Sequence, residues 1–93
     1  MIPIQQFSPG VLAEIVRRQA PSPARTAFAW QIAVGPAIAR STTVEVVGGV
    51  LRVYPRDARW GHEISRAAAT ILPRMQHLLG AETLTSIKVA GNR

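Results

Sequence analysis

The sequence predicts an α+β fold of two layers, with helices packed on one face of a three-stranded sheet. Two Ser-Pro pairs each precede an amphipathic run, which is typical of a helix start. Two β-branched runs flank a Gly-Gly pair, which is typical of a β-hairpin, and a long helical pattern then leads to a last short strand. The expected order is α-α-β-β-α(α)-β, because a sheet with one apolar face requires helices to cover it.

The first two helices follow from Ser8-Pro9 and Ser22-Pro23, since Ser caps free amides and Pro at the first helical position has none. The first helix is expected to reach Gln19, with Glu14 and Arg18 paired on its polar side. Its predicted apolar stripe consists of Val11, Leu12, Ile15 and Val16.

The second helix is expected to end at Val34, before Gly35-Pro36, and a further turn over 36–39 follows it. Its apolar residues lie nearly all round, so the helix is either sandwiched between other elements or part of a subunit interface. These residues are Ala27, Phe28, Trp30, Ile32 and Val34.

The hairpin is expected over 42–47 and 50–54, because Gly48-Gly49 supplies the positive φ that a two-residue loop needs. That loop fixes a register in which apolar pairs share the core face and polar pairs share the other face. The core pairs are Val46 with Leu51 and Val44 with Val53; the outward pairs are Glu45 with Arg52 and Thr43 with Tyr54.

Asp57 is expected to cap the long helix, and Gly80 to end it. Pro73 removes a mid-helix hydrogen bond, so a kink or break is expected over 70–73. The last strand is expected over 84–89. The apolar side of the long helix consists of Trp60, Ile64, Ala67, Ala68, Ile71, Met75 and Leu78, and Ile87 and Val89 of the strand point inward.

Length and composition limit the function. The chain has 93 residues, so we expect one domain over 8–90, between an extended arm at 1–7 and a C-terminal end at 91–93. It contains no Cys, which excludes disulfides, a thiolate nucleophile and Cys-based zinc sites. It has no membrane-length apolar run and no signal-peptide pattern, so we expect a cytoplasmic protein without membrane contact.

No catalytic or metal-binding arrangement is found, so we expect neither an enzyme nor a cofactor. A nucleotide-hydrolysing Gly-rich loop is missing. His62-Glu63 begins like the HExxH zinc motif, but the second His is replaced by Arg66. Glu63 instead has the spacing of salt bridges to Arg59 and Arg66.

The formal net charge of +6 indicates an anionic partner, nucleic acid above all, although an Arg-rich genome would give the same composition. The hairpin sharpens this expectation. Arg40 and Arg56 lie at the same end of it, and Arg52 and Tyr54 lie outward nearby, while Arg59 is in the first turn of the next helix. Arg matches phosphate and Tyr offers a stacking surface, so these five residues are the candidate nucleic-acid site.

One alternative stays open for these residues. Arg52 could merely neutralise Glu45 and Tyr54 cover a sheet edge, while the other cations are solvated. A second basic group, Arg17, Arg18 and Arg25, lies near the first helix–helix turn. Trp30 and Trp60 lie on apolar helix faces, so a position in the core is expected for each of them, with contact to a partner as the less favoured alternative. The candidate partner-contact residues are Arg17, Arg18, Trp30 and Val34.

Three stretches resemble the DciA family of bacterial helicase loaders. Residues 30–39 resemble its W-x-x-x-V-G-x-x-[IL]-A segment, residues 49–53 its G-x-L-x-V strand, and residues 60–64 its W-x-x-E-L helix start. The resemblance implies a KH-like domain that binds a DnaB-type replicative helicase and DNA, single- or double-stranded, without an ATPase of its own. The GxxG clamp of RNA-binding KH domains is absent, because no two Gly are three positions apart.

Other functions remain as alternatives. The chain could be a small homo-oligomeric interaction module that uses the apolar sides of the second helix, or a general RNA-binding KH-like domain. Stable self-association without DNA or helicase contact would favour the first of these.

Overall fold

The computed structural model describes residues 9–90 and confirms the α+β class, with four helices and a three-stranded sheet. The predicted order is also found, with the turn after Gly35 forming a short helix. In chain order the elements are α1 (Pro9–Arg18), α2 (Pro23–Val34), α3 (Pro36–Arg40), β1 (Thr42–Val47), β2 (Val50–Pro55), α4 (Ala58–Leu79) and β3 (Ser86–Val89). The predicted cap at Ser8, the arm at 1–7 and the end at 91–93 lie outside the described residues.

The sheet has the order β1-β2-β3, with β1 antiparallel and β3 parallel to the central strand. All four predicted cross-strand pairs of the hairpin are confirmed. Gly48 and Gly49 have φ of 58° and 79°, the positive values that the two-residue loop requires. Since this loop holds the register, the side chains alternate between a covered face and an open face.

The covered face carries the hydrophobic core. Leu51 and Val53 of the central strand are fully buried against the helices, whereas Arg52 between them is exposed on the open face. The core residues of the long helix α4 are Ile64, Ile71, Met75, Leu78 and Leu79. The helices therefore lie on one face, as expected from the apolar pairs.

The α1 helix buries a different face from the predicted one. Leu12 and Val16 are buried as expected, but Val11 is 45% and Ile15 37% exposed, and Ala13 is fully buried instead. The small Ala side chain allows α1 to lie close to α4, which turns the other edge of the stripe to solvent. The helix ends one residue before the predicted Gln19.

The α2 helix is sandwiched between other elements, which is the first of the two arrangements that its apolar pattern predicted. It packs against α4, β1, α3 and α1. Ser22 caps it by accepting a hydrogen bond from the Arg25 amide at 3.0 Å, and Gly35 ends it with a φ of 89°. Trp30 is only 2% exposed, so it is a core residue, and Val34 packs partly buried against the same core.

The α4 helix is continuous through Pro73, so of the predicted kink or break the break does not occur. Buried side chains precede and follow the proline, and their packing outweighs one missing backbone hydrogen bond. The predicted ends are confirmed, since Asp57 accepts a hydrogen bond from the Trp60 amide at 3.1 Å and Gly80 follows the last turn. β3 begins at Ser86, two residues later than expected, although Leu84 is fully buried.

Candidate nucleic-acid interface

Some of the basic side chains already have partners within the protein. Arg18 pairs with Glu14 at 3.1 Å, as the helix spacing predicts. Arg74 of α4 donates to the Ala33 carbonyl at 3.2 Å, near the end of α2. Such bonds satisfy a helix-end carbonyl that has no partner within the helix.

Arg25 has the same structural role and was not recognised from the sequence. It is partly buried, and its guanidinium donates to the carbonyl of Leu79 at 3.2 Å and to that of Gln19 at 3.5 Å. The side chain thus joins the start of α2 to the end of α4. The expected basic group at the first helix–helix turn is therefore divided, because Arg25 faces inward and Arg18 is paired, while Arg17 is exposed.

The cations that remain lie mostly around the sheet. In the described part of the chain, six basic side chains have neither an ion pair nor a hydrogen-bond partner. Two of the six lie on the open face of the sheet, on β2 and β3. Three more lie where the chain enters β1 and leaves β2, which we call the Arg40 end of the sheet. Only Arg17 lies elsewhere. The six are Arg17, Arg40, Arg52, Arg56, Arg59 and Lys88.

The structure brings Arg40, Tyr54 and Arg56 together as the hairpin predicts. They line one shallow depression of about 270 Å³, with residues 41–43 and Pro55 as the rest of its wall. The Arg56 amide donates to the carbonyl of Ser41 at 2.8 Å, which joins the two chain segments that carry the arginines. Two guanidinium groups and a phenol ring thus surround a space open to solvent.

Arg52 has a neighbour that sequence reasoning missed. In the parallel register of β2 and β3, Lys88 lies directly beside Arg52, and both side chains are exposed on the open face. The alternation of apolar and polar residues along β3 is enough to predict that Lys88 points outward. Its position beside Arg52 depends on the parallel pairing, for which the sequence contains no local signal.

Glu45 does not neutralise Arg52, although the two residues face each other across the hairpin. No ion pair joins them among the described residues. Glu45 instead accepts a hydrogen bond from the Tyr54 hydroxyl at 2.5 Å, on a diagonal across the two strands. This bond positions the Tyr54 ring and leaves the Arg52 guanidinium exposed.

Arg59 is exposed in the first turn of α4. The expected ladder from it through Glu63 forms only in part, since Glu63 lies 3.8 Å from Arg66 and makes no ion pair with Arg59. The carboxylate of Asp57 accepts from the Trp60 amide at the helix start, and the exposed guanidinium of Arg59 adds a positive charge beside it.

Within residues 9–90, no group of three or more His, Cys, Asp or Glu side chains is placed to hold a metal ion. None of the helices in that range is long and apolar enough to span a bilayer. The open face and its Arg40 end form a positively charged surface, with Tyr54 as its aromatic residue.

The comparison with protein families gives a match that agrees with the resemblance of the three sequence stretches. The family model described as Dna[CI] antecedent, DciA matches residues 3–89, nearly the whole chain. The comparison with curated proteins finds no match. The protein belongs to the DciA family, which suggests a role like that of loaders of the DnaB-type helicase in bacterial DNA replication.

Proposed function

We propose that this protein is a DNA-replication accessory that binds the DNA backbone and a DnaB-type replicative helicase, without hydrolysing ATP itself. The observation that carries the DNA-binding part is the collection of unpaired cations around the open sheet face. We call these five cations, together with Tyr54, the basic patch: Arg40, Arg52, Tyr54, Arg56, Arg59 and Lys88. The helicase part is supported by membership of the DciA family, whose action in replication also leads us to infer a cytoplasmic location.

The chemistry of the basic patch favours sequence-tolerant binding. Guanidinium groups offer a planar fork of donors that matches phosphate oxygens, and Lys88 adds a compact charge. Tyr54 can stack on an unpaired base of any identity, because every base has a π face. Binding of this kind releases counterions, so its affinity falls steeply with salt.

Charge reversal tests the basic patch. Arg52, Arg56 and Lys88 are replaced together by Glu, and binding to a fluorescent strand of about 20 nucleotides is followed by anisotropy between about 50 and 200 mM salt. We expect affinity to fall at least about a hundredfold at low salt, with a shallower salt dependence for the remaining binding.

A control with the same change in net charge separates the patch from overall charge. In the control, Arg17, Arg18 and Arg66 are replaced by Glu, since all three are exposed and lie outside the patch. Equal losses in both variants, or an affinity of the unmodified protein that does not change with salt, would refute the assignment of the patch.

Helicase binding is tested by co-elution. The protein and the DnaB-type helicase of the same organism are passed together over a sizing column, with and without single-stranded DNA. We expect a complex in both cases, and we expect it to form with the variant of the basic patch as well. Absence of a complex under all conditions would overturn the helicase part of the proposal while leaving the DNA-binding part standing.

A further inference from the structure

One side of β1 has no strand partner in the described structure. The strand lies at the edge of the sheet, and its only pairing is with β2. The two-residue turn makes Val47 and Val50 a hydrogen-bonded pair. Hydrogen-bonded and non-bonded pairs alternate along an antiparallel ladder, so the backbones of Glu45 and Thr43 also bond to β2. The N–H and C=O groups of Val44 and Val46 must then point away from the sheet.

The bonds on the far side of the sheet agree with this assignment. Val53 and Gly49 direct their carbonyls to the β3 segment, accepting from the Ala90 and Thr85 amides at 2.8 Å and 2.7 Å. In the central strand, residues 51 and 53 therefore bond toward β3, and residues 50, 52 and 54 bond toward β1. No other segment within residues 9–90 makes backbone bonds to Val44 or Val46.

A groove runs along this unpaired edge, with α2 as its opposite wall. It consists of two adjoining depressions of about 410 Å³ and 560 Å³, and both are lined by Pro23 and Val44. One depression follows residues 44–46 of β1, and the other follows residues 42–44. The groove therefore accompanies most of the strand.

The exposed residues of α2 that follow the groove from turn to turn are uncharged. Pro23, Ala27 and Gln31 occupy successive turns of α2, and all three are exposed. The short side chain of Ala27 leaves space in the middle of the groove. A partner could thus approach β1 closely enough to make main-chain hydrogen bonds.

We propose that this β1 edge groove binds an extended peptide segment of a partner protein as a fourth strand, with an acidic residue of that segment beside Arg40. The peptide would complete the main-chain bonds of Val44 and Val46, as in other cases of strand addition. Arg40 lines one end of the groove and has no carboxylate partner in the described structure. The other guanidinium of the groove, that of Arg25, already donates to two carbonyls.

The observations favour a peptide over a nucleic acid. The two valines present both donors and acceptors along the edge, which another peptide backbone matches and a phosphate backbone does not. Arg40 is also the only unpaired cation among the described residues that line the groove, whereas the others lie around the open face of the sheet.

A second copy of this chain fits less well. Two β1 edges paired antiparallel about a two-fold axis would place Arg40 near the uncharged turn at 47–49 of the other copy. That arrangement gives Arg40 no acidic neighbour. The β1 edge groove is distinct from the basic patch on the open face, and Arg40 is the residue that belongs to both.

The test uses a displayed random library of peptides of about ten residues, long enough to cover the strand. We expect the enriched sequences to alternate β-branched and polar residues and to include Asp or Glu near one end. An enriched peptide should slow hydrogen exchange of the Val44 and Val46 amides by about tenfold or more. The Thr43 and Glu45 amides, already bonded to β2, should change little and provide an internal reference.

Two modifications, one of the peptide and one of the protein, test whether the peptide pairs through its main chain and whether it binds in the groove. Methylation of alternate peptide amides should lower affinity by about tenfold or more, because it removes donors without changing the side chains. Ala27→Trp should block the groove and weaken peptide binding to a similar extent, while DNA affinity stays within about twofold. Ala69→Trp, at an exposed site on α4 outside both depressions, should leave peptide binding unchanged.

Several results would overturn the proposal. They are a library without enrichment, enriched peptides that leave the Val44 and Val46 amides unprotected, and protection of these amides by oligo-dT rather than by peptide. Protection that rises with protein concentration in the absence of peptide, together with a dimer on sizing, would instead assign the edge to a second copy.

Discussion

The indole N–H of Trp30 donates to Thr42 Oγ1 at 2.8 Å, and the same hydroxyl donates to the carbonyl of Ile38, also at 2.8 Å. This chain of two bonds joins α2, β1 and α3 in one buried network. It fixes the start of the edge strand relative to the helices, and with it the segment that carries Arg40. The bonds thus link the core to both proposed binding surfaces.

Replacing Thr42 by Val should destabilise the protein. The substitution keeps the shape of the side chain but removes the acceptor of a buried indole donor, which costs about 1–3 kcal/mol. Urea denaturation of the variant measures this loss in the free energy of unfolding. Thr42→Ser, which retains the hydroxyl, should recover a large part of it. A Val variant as stable as the unmodified protein would show that the network contributes nothing to stability.

Arg25 and Arg17 should differ in their effect on stability, although each substitution by Ala removes one positive charge. Arg25 loses its bonds to the carbonyls of Leu79 and Gln19, whereas Arg17 has no partner in the described structure. We expect Arg25→Ala to cost about 1–3 kcal/mol and Arg17→Ala less than about 0.5 kcal/mol. Thermal and urea unfolding of both variants check this, and equal losses would contradict the structural role of Arg25.

The hairpin shows which parts of this fold can be predicted from the sequence. Gly48-Gly49 fixes the loop length, the loop fixes the register, and the register sorts apolar from polar side chains. All of these relations act over few residues. The candidate residues Arg40, Tyr54 and Arg56 were therefore placed together correctly.

The parts that could not be predicted depend on contacts distant in sequence. Lys88 lies beside Arg52 only because β3 pairs with β2, and Arg25 faces inward only because the end of α4 lies next to it. The face of α1 followed the close packing at Ala13 rather than the size of its apolar residues. At Pro73 the helix does not break, because buried residues before and after the proline hold it together.

Gly49 and Gly48 should respond differently to substitution. Gly49 has a φ of 79°, and a Cβ there would lie 3.2 Å from Thr85 Oγ1; its carbonyl also accepts the Thr85 amide at 2.7 Å. Gly49→Ala should therefore cost about 1–2 kcal/mol. Gly48 has open space around it and a φ of 58°, which Asn tolerates, so Gly48→Asn should be within about 0.5 kcal/mol of neutral.

Urea denaturation of both glycine variants measures these differences in the free energy of unfolding. Hydrogen exchange of the β3 amides adds a local readout, since the Gly49 turn contacts the start of that strand. Exchange at the Ser86 amide, which lies 3.4 Å from the Gly49 carbonyl, should accelerate in Gly49→Ala and not in Gly48→Asn. A Gly49→Ala variant with unchanged stability would show that the turn tolerates a side chain at this position.

Glu45 should weaken DNA binding in the unmodified protein. Its carboxylate lies on the open face, across from Arg52, and accepts the Tyr54 hydroxyl at 2.5 Å. Glu45→Gln keeps an acceptor oxygen for Tyr54 while it removes a negative charge from the middle of the basic patch. We therefore expect affinity for a DNA strand to rise about two- to fivefold at low salt, and the gain to shrink as salt screens the charges.

The matched control for this prediction is Glu82→Gln, which changes the net charge equally at an exposed position in the turn between α4 and β3. Anisotropy titrations of both variants across salt concentrations provide the comparison. If the basic patch binds the phosphate backbone, the Glu45 variant gains clearly more than the control, because its charge change lies within a few ångströms of the bound phosphates. Equal gains in the two variants would mean that DNA responds to the net charge of the whole protein, and the patch would then have no special part in binding.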